Sequence, residues 1–212
     1  MYDLRAGKEL FHGSLELVKV PDADYQKKQE LEKDSGRKKR TLDFGFGFYL
    51  TDDFDRAVNW VKTKVRNYNK RRGKNEEEKT YGYVSCFKLK IPIVSSPKIK
   101  IFNSYDKEWL SMICKGRMNE KFPDYDIIIG SVADANTEIL LTAYYNNRPY
   151  YTKDEEKIDF GKMSEEEKDR VVLKLLKFNP PFVQLCFRKN QAIKKYLRFD
   201  RGKIVTKEGV VK

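Results

Sequence analysis

Residues 8–20, KELFHGSLELVKV, alternate loosely between apolar and polar positions, which puts Leu10 and His12 on one side of a strand and Phe11 on the other. Gly13 and Ser14 end or bend that strand and leave His12 near its end, where a side chain can face a cleft. A second strand is expected at FYLT, residues 48–51. Thr51 or Asp52 then stands where an N-cap is needed, ahead of Phe54, Ala57, Val58, Val61, Val65 and Tyr68 at helical spacing. This amphipathic helix is expected to run to about Gly73. The period returns to two over residues 81–94, with Phe87, Leu89, Ile91 and Ile93 on one face and Lys88 and Lys90 on the other.

The rest of the chain gives shorter signals. Ser95-Ser96-Pro97 predicts a turn into a strand over Ile99–Phe102. Ser104 is the expected cap of a helix carrying Trp109, Leu110, Ile113 and Cys114. DIIIGSV, residues 126–132, reads as a short buried strand, followed by turn chemistry at 133–136. Residues 137–146 fit a helix with Leu140, Ala143 and Tyr144 inward, with a strand as the competing reading. Ser164 and Glu167 form a capping box for a helix through Phe178, which Pro180-Pro181 stops. A strand over Phe182–Phe187, a short helix over Asn190–Leu197 and a fraying strand to 212 complete the chain. Helices and strands do not alternate regularly, so the fold class is α+β rather than a doubly wound nucleotide fold.

Composition sharpens this outline. Two hundred and twelve residues fit one domain with room for an insertion. The polar, basic stretch 21–40, PDADYQKKQELEKDSGRKKR, has few apolar anchors and reads as that insertion, an exposed loop with a short helix at Gln26–Lys33. Its cluster Arg37, Lys38, Lys39 and Arg40 is either solvated or a phosphate contact. The formal charge of +12 admits RNA or DNA as a partner, and also fits a scattered solubilising surface. Arg66, Lys70, Arg71, Arg72 and Lys74 make a basic helix end, partly cancelled by Glu76, Glu77 and Glu78. Cys86, Cys114 and Cys186 lack metal-ligand spacing and sit among apolar neighbours, so buried thiols are expected and a zinc site is not. No apolar run approaches the ~18 residues that span a bilayer, and no apolar signal core opens the chain. A cytoplasmic protein with no membrane partner is the expectation.

Two stretches carry candidate chemistry. Gly45-Phe46-Gly47-Phe48-Tyr49 is no dinucleotide fingerprint of the GxGxxG kind, because its glycines precede a strand and not a helix. Its glycines permit close backbone approach, and they hold Tyr49 at the rim of whatever approaches. His12, the chain's one histidine, sits next to Gly13 and offers a side-chain polar group beside an unobstructed amide. Near the C-terminus Gln184 lies in the strand FVQLCF. Read on its own, it is an inward polar group bonded to backbone.

These pieces jointly resemble the ADP-ribosyltransferase superfamily, in the branch with a His-Tyr-Glu triad that includes diphtheria-type toxins and the poly(ADP-ribose) polymerases. More closely they look like a group of small uncharacterised bacterial proteins of that superfamily. The matches are His12-Gly13-Ser14, the run DFGFGFYLT from Asp43 to Thr51, Ala57 with Trp60, YDIIIGSVAD from Tyr125 to Asp134, and Gln184 with Phe187, in the family's order. The resemblance implies split mixed β-sheets around an NAD cleft with flanking helices, formed by residues 1–212 as one domain. It implies that His12 bonds a hydroxyl of the adenosine-side ribose and that the Gly13 backbone holds the nicotinamide carboxamide. Ser14, Gly45 and Gly47 would line the pocket, and Tyr49 would stack on the nicotinamide ring. Gln184 stands where the family has glutamate. It can accept a hydroxyl's hydrogen bond but cannot carry charge or act as a base. That favours transfer of a single ADP-ribose over polymer growth, and leaves Asp43 and Asp134 as candidate bases for the acceptor. The implied activity is mono-ADP-ribosylation of a protein or nucleic acid from NAD as substrate, with no metal. Kinship adds a toxin or anti-phage role and a neutralising antitoxin. NAD glycohydrolysis and a non-catalytic basic nucleic-acid-binding module are the alternatives.

Overall fold

A computed structural model describes residues 2–24, 42–72, 77–104, 106–117, 123–132, 137–152, 154–176 and 183–211. An eight-stranded sheet runs through them. Its strands are β1 (Glu9–Ser14), β2 (Phe48–Thr51), β3 (Tyr81–Leu89), β4 (Ile99–Ile101), β5 (Ile127–Ser131), β8 (Val183–Phe187), β9 (Leu197–Thr206) and β10 (Val210–Val211), in the order β10-β9-β3-β1-β2-β8-β5-β4. Only β4 and β5 pair in parallel, so the sheet is mixed. A separate hairpin joins β6 (Pro149–Tyr151) to β7 (Lys157–Asp159). Five α-helices are described: α1 (Phe54–Asn69), α2 (Lys107–Arg117), α3 (Thr137–Tyr145), α4 (Glu165–Leu176) and α5 (Asn190–Tyr196).

Strand alternation sorts the core onto two faces. Leu10, Phe48, Leu50, Phe87, Ile127, Ile129, Leu185 and Phe187 point to one face, where Ala192, Ile193 and Tyr196 of α5 cover them. On the other face α1 lays Ala57, Val58, Val61 and Val65 over Phe11, Val84, Cys86 and Val205. Helices α2 to α4 lie on that same face over Phe44, Ile128 and Cys186. This second face therefore holds two separate apolar clusters, divided at the junction of β1 and β2.

That junction is a seam. β1 pairs with β3 from Glu9 to Ser14, and β2 pairs with β8 along its whole length. Between β1 and β2 the register contains the single pair Phe11–Thr51. The sheet is continuous on paper but held by one rung in the middle.

Several local readings shift. The helix after β2 is capped by Asp53, which accepts a hydrogen bond from the Arg56 amide at 2.9 Å, while Thr51 Oγ1 accepts from the Asp53 amide. Asp106, not Ser104, caps α2, accepting from the Trp109 amide at 2.9 Å, and the Ser104 hydroxyl donates to it. A carboxylate outcompetes a hydroxyl for these amides because it carries full charge at the positive end of the helix dipole. β3 stops at Leu89, and Ile91 is exposed where it was expected in the core. Residues 137–145 are helical. The Ser164–Glu167 box forms in both directions. The helix suggested at 26–33, the basic cluster at 37–40, the turn at 133–136 and Pro180-Pro181 lie outside the described residues. At the start of the 21–40 stretch, Ala23 is buried and its amide donates to Asn190 Oδ1. No helix among the described residues is long and apolar enough to cross a membrane.

Candidate functional site

His12, Tyr49 and Gln184 are far apart along the chain and fall on β1, β2 and β8, three consecutive strands of the sheet. His12 sits in the seam. One residue past the Phe11–Thr51 rung, the β1–β2 ladder gives way to a side-chain bridge, as His12 Nδ1 lies 2.8 Å from the Tyr49 carbonyl oxygen. Its ring packs on Phe48 with centroids 4.5 Å apart. Burial, helped by the nearby charge of Lys64 and opposed by the Tyr49 carbonyl, pushes the imidazole pKa down to about 3. The ring is therefore neutral at pH 7. A carbonyl can only accept, so Nδ1 carries the proton and Nε2 presents a lone pair.

Tyr49 points to the opposite face from His12, as its neighbours in the cluster with Phe44 and Cys186 show. Its hydroxyl accepts from the Phe44 amide at 2.9 Å and donates to the Gly45 carbonyl at 2.7 Å. The phenol thus closes the turn that leads into β2. Gly45, at φ 68°, supplies the left-handed residue this turn needs. Burial, with Cys186 and Asp43 nearby, raises the phenol well above its ordinary pKa, so it stays protonated. Burial also pushes the Cys186 thiol up to about 12. All three cysteines are buried and in no disulfide, and no metal-holding cluster occurs among the described residues.

Gln184 shares Tyr49's face, opposite Thr51 on β2 and Gly130 on β5. Its amide nitrogen donates to Asp43 Oδ2 at 2.7 Å and, at 3.5 Å, approaches the Ser131 carbonyl. Both partners only accept, which fixes the amide orientation: NH2 toward Asp43, Oε1 away from it. Arg117 of α2 directs Nε (2.8 Å) and a terminal nitrogen (2.6 Å) at Asp43 Oδ1. Sequence reasoning had offered Asp43 as a base for the acceptor. In the structure this carboxylate has an arginine on one oxygen and an amide on the other, and it orients Gln184. Asp134, the other candidate base, lies outside the described residues. Arg117 was missed, since nothing local marks a helix arginine as the partner of an aspartate 74 residues earlier.

The remaining candidates have packing roles. A Cβ on Gly13 would lie 2.5 Å from the Ala57 carbonyl oxygen and 3.1 Å from Val61 Cγ2, so Gly13 lets α1 rest on β1. Gly47 likewise lets β2 approach Cys186 and Phe187. The Ser14 hydroxyl donates to the Glu16 carbonyl at 2.7 Å. Gly13→Ala is expected to cost about 1–3 kcal/mol through overpacking against the α1 backbone. Urea unfolding of the variant beside the parent checks this; an unchanged midpoint would mean that α1 sits further from β1.

The family model that matches the chain, described as a protein of unknown function (DUF3990), covers residues 8–199, from the start of β1 into β9. No curated protein matches it.

Proposed function

This chain belongs to the DUF3990 family, and we propose that it is a mono-ADP-ribosyltransferase that takes NAD as substrate and modifies a macromolecule. The observation that supports this reading is that His12, Tyr49 and Gln184, far apart along the chain, fall on the adjacent strands β1, β2 and β8, with Tyr49 and Gln184 on one face and His12 on the other beside a seam held by one rung. The ordered motifs that resemble the superfamily supply its chemistry.

In the proposed reaction the bond from C1′ of the nicotinamide ribose to the pyridinium nitrogen breaks, and its electron pair leaves with neutral nicotinamide. A lone pair of the acceptor forms the new bond to C1′, and the acceptor's proton passes to solvent. His12 Nε2 accepts a hydrogen bond from a ribose hydroxyl. The Tyr49 ring stacks on the cationic nicotinamide. Gln184 Oε1 accepts from the 2′-hydroxyl beside the carbon where positive charge develops. Asp43, bonded to the amide's other end, polarises it toward Oε1 and supplies part of the field that a glutamate would provide directly. His12 and Tyr49 project to opposite faces, so a dinucleotide that meets both must enter across the β1–β2 seam. His12, Asp43 and Gln184 are 5%, 5% and 9% exposed, so NAD reaches them when the seam and its cover part. An enzyme of this kind in a bacterial cytoplasm would serve as a toxin or anti-phage effector held in check by an antitoxin.

The test is incubation of the purified protein with adenine-labelled NAD and cell lysate. Label is expected on macromolecules, with nicotinamide released in step, and Tyr49→Ala is expected to abolish both. Tyr49→Phe keeps the ring and is expected to retain most of the activity. Label found only in free ADP-ribose would replace transfer by hydrolysis, and an absence of nicotinamide release would remove the reading.

A further inference from the structure

The C-terminal half of α1 and the end of β9 enclose an open groove of about 620 Å³, lined by none of the proposed NAD-site residues. One wall carries Lys62 and Arg66 of α1 and Lys70, its C-cap, at i, i+4 and i+8; the other carries Thr206 and Lys207. Successive members of the stripe are about 6 Å apart along the helix axis, a spacing of the same order as that of phosphates on an extended nucleotide strand. The floor is closed by Val65 and Val205, both buried in the core beneath α1. Glu78 is the one carboxylate in the lining, and it is already engaged: Asn69 Nδ2 lies 3.2 Å from it and Lys207 Nζ 3.8 Å. Among the described lining residues four cations stand with the Glu78 carboxylate, the Glu208 carboxylate lies near Lys62, and the remaining lining is neutral and polar apart from the two valines.

We infer that this groove binds the sugar–phosphate backbone of single-stranded nucleic acid through the Lys62–Arg66–Lys70 stripe. Two features favour nucleic acid over an acidic protein segment. The cations repeat at a regular interval along one straight wall, which suits a polymer with one charge per repeat. The neutral lining, Asn59, Thr63 and Thr80 among it, offers hydrogen bonds to sugar and phosphate oxygens. The whole chain's charge of +12 adds long-range attraction of the same sign. Binding here is sequence-independent and does not depend on the NAD chemistry proposed for the seam.

Fluorescence anisotropy with a labelled mixed-sequence single-stranded oligonucleotide, titrated with the full chain at several salt concentrations, tests the inference. The triple variant Lys62→Gln, Arg66→Gln, Lys70→Gln is compared with Arg170→Gln, Lys174→Gln, Lys195→Gln, which removes the same charge from exposed positions outside the groove. The groove variant is expected to lose at least tenfold in affinity at 0.1 M salt, and the slope of log K against log salt to fall by about 2, the value for three phosphate contacts on a single strand. The control triple is expected to change the slope by less than half of that. Equal losses in the two variants, or no binding by the parent at low salt, would overturn the inference. So would polyglutamate competing as well as the oligonucleotide and with the same sensitivity to the groove variant. Circular dichroism of both variants confirms that the fold is retained, and nicotinamide release measured on the groove variant keeps this result separate from the seam.

Discussion

Asp43→Ala is expected to lower folding stability by about 3–5 kcal/mol, the largest single-residue loss argued for this chain. Asp43 is 5% exposed and the Arg117 side chain 17%. Removing the carboxylate takes from a guanidinium largely out of water the counter-charge it meets at 2.6 Å, and it strips the Gln184 amide of its short 2.7 Å acceptor. Two donors lose one partner in a single change, and an unmet buried group costs more than a formed bond returns. Adding Arg117→Leu to Asp43→Ala is expected to recover part of the loss, since the stranded charge goes with it. Gln184→Glu should also destabilise, because it places a second carboxylate where an amide donates to the first. Urea midpoints of the parent, Asp43→Ala and the double variant measure this. A single variant within 0.5 kcal/mol of the parent, or a double variant worse than the single, would show that the buried cluster does not hold the structure together as described.

The parts of the fold legible in the sequence were those decided locally. The apolar stripe of α1 is written at helical spacing in residues 54–68, and of its six predicted inner positions Ala57, Val58, Val61 and Val65 are buried while Phe54 and Tyr68 at the ends are half-buried. The Ser164–Glu167 box needs four residues and no partner elsewhere. The alternation around Leu10, Phe11 and His12 assigned their faces correctly. What escaped was non-local or lacked pattern. β6 and β7 are three-residue strands, mostly exposed and with no alternating apolar face, so no period marks them. Three polar residues in a row precede α1, and only the chain's entry angle decides that Asp53 is the cap. The register of β1 against β2 determines that His12 and Tyr49 project to opposite faces, and register between strands separated by 33 residues leaves no local trace. The same holds for Gln184 and Asp43, joined across 141 residues. The residues of the candidate site could be named from the sequence, but the wiring behind them, which turns Gln184 outward by its oxygen, could not.

Lowering the pH from 7.5 to 5 is expected to remove about 2 kcal/mol of folding stability through His12 alone. The imidazole titrates near 6.5 when unfolded and at about 3 in the fold, because protonation there would place a charge in a buried seam near Lys64. Between those two values the unfolded chain binds a proton that the native chain refuses. Stability contributed by the neutral ring is therefore fully present above pH 6.5 and is lost steadily as pH falls toward 3. Asparagine at this position can donate from Nδ2 toward the Tyr49 carbonyl, as Nδ1 does, yet has no titration in this range. His12→Asn is thus expected to flatten the profile between pH 5 and 7.5. The chain has no second histidine, burial raises the Cys86 and Cys186 thiols further from this window, and ordinary carboxylates titrate mainly below it. Whatever slope the terminal amine adds is common to parent and variant. Urea unfolding of both proteins at half-unit steps resolves the difference, and parallel profiles would mean that His12 is hydrated in the native state and that the seam already stands open to water.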